Sequence, residues 1–179
     1  MWLLPPFRQY KGKYFYFFLV LGLEGLSTIL LAYLHINLFK FYNIVNIVII
    51  LTLFDKTSIK KNWYVFLISL AAVLIVNQTS DLGLIILAKI IAQIIIFYIF
   101  LKYAAIDYYK NGSFRISYFI LLLYEITLIL KSYFSLGNIE IGIVFYHLTT
   151  AFESFIAIFF TIYKVEESPS IKLAAISQK

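Results

Sequence analysis

Six long apolar runs, separated by short polar breaks, make up most of this chain. A helix crosses the hydrocarbon of a bilayer with about 20 residues, in a range of roughly 17–25. The runs fall at about 14–34, 39–54, 62–77, 82–103, 114–134 and 141–163. The expected fold is therefore all-α: a polytopic membrane protein built as a bundle of six transmembrane helices. Residues 1–13 form an N-terminal segment and 164–179 a tail. Turn chemistry marks the breaks at Asp55-Lys-Thr-Ser, Asn77-Gln-Thr-Ser-Asp81, Asn111-Gly-Ser113 and Ser135-Leu-Gly-Asn138. The break at His35 to Leu38 is the weakest.

Composition excludes other classes. Hydrophobic residues make up 63% of the chain and charged residues only 13%, against roughly 45–50% and 25% in soluble proteins. A soluble enzyme, a disordered chain and a nucleic-acid-binding domain are all set aside on that ground. The pI of about 9.3 would otherwise raise nucleic acid as a partner. With no cysteine, disulfides, thiolate metal sites and cysteine nucleophiles are absent. The basic N-terminal stretch precedes an apolar run too long for a signal-peptide core, so it reads as an uncleaved first span.

The basic residues orient the spans. Cytoplasmic loops carry an excess of Lys and Arg. With the N-terminus inside, the inner side receives Arg8, Lys11 and Lys13; Lys56, Lys60 and Lys61; Lys102, Lys110 and Arg115; and Lys164, Lys172 and Lys179. Only Lys40 and Lys131 fall outside, and Lys89 lies within a span. Both termini are thus expected in the cytoplasm, in a bacterial-type inner membrane or its equivalent. Trp2 and Trp63 fall on the inner side with Tyr10, Tyr103, Tyr108, Tyr109 and Tyr163, as an interfacial aromatic belt.

Four charges sit deep in the spans: Glu24, Lys89, Glu125 and Glu153. Each costs about 2.5–3.5 kcal/mol at the bilayer centre when left facing lipid. Counted from the outer span ends at about 1.5 Å per residue, Lys89 lies roughly 10 Å down, Glu125 13 Å, Glu24 15 Å and Glu153 18 Å. These levels let Lys89 reach Glu125 or Glu24, and Glu125 is the expected partner because sequence-adjacent spans usually pack together. Gln93 stands one turn from Lys89, and Tyr118, Glu125 and Ser132 share a stripe. On the last span, Thr149, Thr150, Glu153 and His147 share one side, opposite Leu148, Phe152, Phe155, Phe159 and Ile162. Asp55, Asp81, Asp107, Glu140, Glu166 and Glu167 are expected to be solvated.

The expected site is a polar pocket open to the outer side. It is lined by Glu24, Lys89, Gln93, Glu125, His147, Thr150 and Glu153, and takes a small polar ligand or cation for transport or sensing. Lys89 and Glu125 form its charge pair, Glu24 and Glu153 answer to protons or cations, and His147 and Thr150 contact the ligand. Ser27, Thr28, Ser132 and Ser154 are expected to bond helix to helix. The alternative is a non-catalytic assembly, immunity or accessory subunit that meets a partner membrane protein through its lipid-facing side. An intramembrane enzyme acting on a lipid-like substrate ranks last, because no nucleophile has an adjacent base. Gly25-Leu26-Ser27-Thr28 lacks the second glycine of a GxSG motif. Two histidines make no HExxH, and the glycines make no phosphate loop. No cofactor and no metal site is expected.

Overall fold

The computed structural model describes residues 1–35, 37–54, 56–61, 63–137 and 139–172, except for the side chains of 56, 58, 137, 139–144 and 146. The expected features at Asp55, Asn62, Asn138, Glu140 and Lys179 lie outside that description. The chain is helical almost throughout. In order come α1 (Pro5–Arg8), α2 (Phe15–Tyr33), α3 (Leu38–Leu53), α4 (Lys56–Lys61), α5 (Trp63–Gln78) and α6 (Leu82–Asn111). Then follow β1 (Phe114–Arg115), α7 (Ile116–Gly137), α8 (Ile139–Ile162), a 3-10 turn (Val165–Glu167) and β2 (Ser170–Ile171).

Phe15–Tyr33, Leu82–Asn111 and Ile116–Leu136 are long and apolar enough to cross a membrane, and Leu38–Leu53, Trp63–Gln78 and His147–Ile162 are shorter apolar helices. The fold is therefore all-helical and has the apolar helices of a membrane protein. At about 1.5 Å per residue, α3 reaches about 24 Å, short of a hydrocarbon core of about 30 Å.

Caps set the helix ends. Asp81 accepts from Gly83 N at 2.8 Å and Leu84 N at 3.2 Å, which starts α6. Asn37 accepts from Phe39 N at 3.0 Å, which starts α3. Between α2 and α3, His35 takes a positive φ of 54°, so the weakest break in the sequence is a real one. Helix α6 runs well beyond Tyr103, where its apolar run ends. Nothing in Ala104–Asn111 stops a helix until Gly112 adopts the left-handed conformation and donates its N–H to Tyr108 O.

Helices α2, α3, α6, α7 and α8 surround a common interior, and α5 packs outside on α3 and α6 without burying a residue. One half of that interior is aromatic. Phe17 meets Phe100 with ring centroids 5.2 Å apart, and Phe18 meets Phe160 at 4.8 Å. Tyr14 and Tyr118 share a buried hydroxyl–hydroxyl hydrogen bond of 3.0 Å.

The ends of the chain interlock beneath this core. Gln9 is fully buried and donates to Phe160 O at 3.0 Å and Tyr163 O at 2.8 Å, while its own oxygen accepts from Val165 N. Arg8 donates to Ile162 O. The last carbonyls of α8, left without partners inside the helix, are thus met by side chains from α1 and the residue after it. The tail lies across the α6–α7 connection: β2 pairs antiparallel with β1, and Ser168 bonds Ser117 at 2.8 Å.

Several expectations are corrected here. Trp2 turns into the bundle, where it packs against Tyr124 at 5.0 Å and Phe18 at 6.5 Å, alongside Gly22. Glu166, Glu167 and Asp107 are engaged rather than simply solvated, by Lys13 N, by Arg8 and Lys164, and by Arg115 respectively. The N-terminal segment folds back onto the bundle and so brings Lys13 and Arg8 to the tail carboxylates, while Asp107 is met by Arg115 across the α6–α7 connection and Lys164 reaches Glu167 within the tail.

Gly22 allows that return. A Cβ there would lie 2.9 Å from Trp2 O, whereas one at Gly25 would meet nothing within 4 Å. Gly22→Ala should lower thermal stability in detergent by about 1–3 kcal/mol through this clash. Gly25→Ala should be neutral or slightly stabilising through its helix propensity. Equal effects at the two positions would refute the close packing of the N-terminal segment.

Candidate functional site

The other half of the interior is polar. It holds a cavity of about 450 Å³, within the roughly 300–1,000 Å³ usual for small-molecule sites. Glu24, Gly25 and Thr28 come from α2, Leu38, Phe39 and Tyr42 from α3, and Lys89 from α6. Tyr124, Leu128, Lys131 and Ser135 come from α7, Thr150 and Glu153 from α8, and Trp2 from the N-terminal segment. Leu38 begins α3 and Ser135 lies in the last turn of α7, so the cavity sits toward the bundle end where α3 begins and α7 finishes.

Of the side chains expected in the site, Glu24, Lys89, Thr150 and Glu153 come together on this cavity. Glu153 pairs with Lys131 at 3.1 Å, and both side chains are mostly buried, 16% and 19% exposed. Lys89 stands with its Nζ 4.5 Å from the centroid of the Tyr42 ring and 5.7 Å from that of Phe39, a double cation–π contact. Thr28 Oγ1 bonds Glu24 O one turn back and lies 3.3 Å from Tyr42 Oη. The charges of Lys89, Glu153 and Lys131 all act on Glu24.

The other three lie elsewhere. Gln93 is buried between α6 and α7, where its Oε1 accepts from Ser132 Oγ at 3.1 Å. Glu125 is 2% exposed, and its Oε2 is buried without a hydrogen-bond partner. His147 is exposed and is not among the described lining residues.

The expected Lys89–Glu125 pair is not formed. The Gln93–Ser132 contact at one level and the Asp107–Arg115 ion pair at another, 3.0 Å long, fix the antiparallel register of α6 and α7. In that register Lys89, one turn from Gln93, is level with the final turns of α7. Glu125, seven residues before Ser132, lies about 10 Å along the helix from that contact and so about 16 Å from the level of Lys89. Counting depth from span ends fails because α6 starts several residues beyond the end of α7.

Sequence reasoning assigned Lys131 to the outer loops and missed it. Its signal is a stripe: Tyr124, Leu128, Lys131 and Ser135 follow the spacing of one helix face, and all four line the cavity. The inward turn of Trp2 has no comparable local signal.

Chemically, the site offers two carboxylates, two ammonium groups, hydroxyls and aromatic faces. Among the described residues no three His, Cys, Asp or Glu side chains gather where they could hold a metal ion. Comparison with protein-family models, with curated proteins and with solved structures finds no match to this chain.

The Lys131–Glu153 pair should behave as a buried pair, in which losing one partner is worse than losing both. Glu153→Gln and Lys131→Met should each destabilise the protein. The double variant should recover on the order of 1 kcal/mol of coupling in a thermal-unfolding cycle. Additive losses would show that the two side chains do not meet.

Proposed function

We propose that this chain is a six-span protein of a cell membrane, of the bacterial inner type or its equivalent, with both termini in the cytoplasm. In this reading its intramembrane cavity opens outward and binds a small polar ligand or cation for transport or sensing. One observation carries the reading: Glu24, Lys89, Lys131 and Glu153, from four different helices, line one cavity. Charges kept inside an apolar bundle are costly, and a packing role would be served as well by uncharged side chains. The distribution of Lys and Arg supports the orientation, and six apolar helices support the span count.

No chemical step is assigned to the site: its Thr28 and Ser135 hydroxyls donate to main-chain carbonyls, those of Glu24 and Lys131, one turn back, which is a packing arrangement. The protein acts by binding, and the bilayer is its immediate partner. A second reading, a non-catalytic subunit of a larger membrane complex, rests on α5, which is apolar from Trp63 to Val76 and buries no residue against the rest of the chain. Under that reading α5 would meet a partner membrane protein.

The purified protein, dialysed against a metabolite mixture, should enrich a small charged compound identified by mass spectrometry. Lys89→Met should lose that compound while still accumulating in the membrane. No enrichment by the unsubstituted protein, or equal enrichment by Lys89→Met, would contradict the binding reading. Failure of both Lys89→Met and Glu24→Gln to accumulate would make the charged residues structural.

A further inference from the structure

The four charges of the cavity are not equivalent. Lys131 and Glu153 close on each other at 3.1 Å. Glu24 and Lys89 do not: among the described residues, neither has an opposite charge within 4 Å. The Glu24 carboxylate also makes no hydrogen bond among them. Yet both line the same cavity, from α2 and α6, and each lies within electrostatic reach of the other. Lys89 is held back by the faces of Tyr42 and Phe39. One carboxylate and one ammonium thus stand apart on the wall of one cavity.

The balance of charge restricts what can fill that space. With two carboxylates and two ammonium groups, the lining is electrically even. A lone cation or a lone anion entering it would leave one buried charge uncompensated, which is expensive away from water. A molecule carrying both signs would not.

The geometry points to a small zwitterion as the ligand, its ammonium end at Glu24 and its acidic end, a carboxylate or a phosphate, at Lys89. This rests on the binding reading given above and narrows it. The apolar part of such a molecule would lie against Trp2 and Tyr124, which pack together at 5.0 Å on the cavity wall. Two sources share this chemistry: soluble amino-acid-like molecules and the headgroups of zwitterionic lipids.

Titration calorimetry on the full-length protein in a non-ionic detergent separates the possibilities. The probes are the proteinogenic amino acids, glycine betaine and glycerophosphoethanolamine, with ethylamine, propionate, potassium chloride and sodium chloride as single-charge comparisons. At least one zwitterion should bind, and each single-charge comparison should bind at least about tenfold more weakly. Glu24→Gln and Lys89→Met should each weaken the binding zwitterion by at least about tenfold, while Lys89→Arg retains most of it. The comparison among probes needs no variant, so it stands even where a substitution prevents folding. A response to glycerophosphoethanolamine alone assigns the ligand to lipid headgroups, and a response to amino acids or betaine to solutes. Ethylamine, potassium or sodium binding as tightly as any zwitterion overturns the zwitterion and leaves the pocket reading intact. No binding by any probe overturns the zwitterion, and binding unchanged by Lys89→Met overturns the assignment of its acidic end.

Discussion

A charge inside an apolar helix bundle has to be met, by an opposite charge, by polar groups or by water. That requirement organises one half of this protein. Glu24, Lys89, Lys131 and Glu153 sit on four helices, and each is turned to the interior the helices share. Lys131 and Glu153 meet directly, and Lys89 is carried by aromatic faces. The lipid-side residues of α8, among them Leu148, Phe155 and Ile162, remain exposed. The polar seam and the apolar exterior are thus two consequences of one constraint.

The other half of the interior gives the cavity its footing. Phe17, Phe18, Phe100 and Phe160 are fully buried and fill the space between α2, α6 and α8. The N-terminal segment closes over this core, pinned by Gln9 to the end of α8. From there Trp2 reaches the cavity wall beside Gly22. The same short segment therefore satisfies the last carbonyls of α8 and supplies part of the site. Part of the 20% aromatic share fills this interior, while Tyr10, Trp63, Tyr108, Tyr109 and Tyr163 are exposed.

Much of this was legible in the residues. Apolar runs located the helices, three of them long and apolar enough to cross a membrane and three shorter, because a membrane helix must be apolar over most of its length. Helical periodicity put Glu153 and Thr150 on one side of the last helix, where both line the cavity, and turned Tyr118, Glu125 and Ser132 to a buried face. Relative register was not legible. Levels counted from span ends placed Lys89 beside Glu125, whereas the Gln93–Ser132 contact sets the helices so that Lys89 lies near Lys131 and Ser135. A register depends on which side chains interlock between helices, and no single run of sequence states that. The return of Trp2 was hidden for a similar reason, since it depends on the space left at Gly22, far along α2.

The central claim is that water reaches Glu24 and its neighbours inside the bundle from the outer side. Because the chain has no cysteine, a single introduced thiol reports on its own surroundings. Thr28 lines the cavity, and the next residue, Ile29, is 72% exposed on the outer surface of α2. With a small, water-soluble, membrane-impermeant thiol reagent applied to intact cells, Thr28→Cys should react and Ile29→Cys should not. A thiol at position 28 that stays unreactive, or reacts no faster than one at position 29, would contradict an outward-facing aqueous cavity.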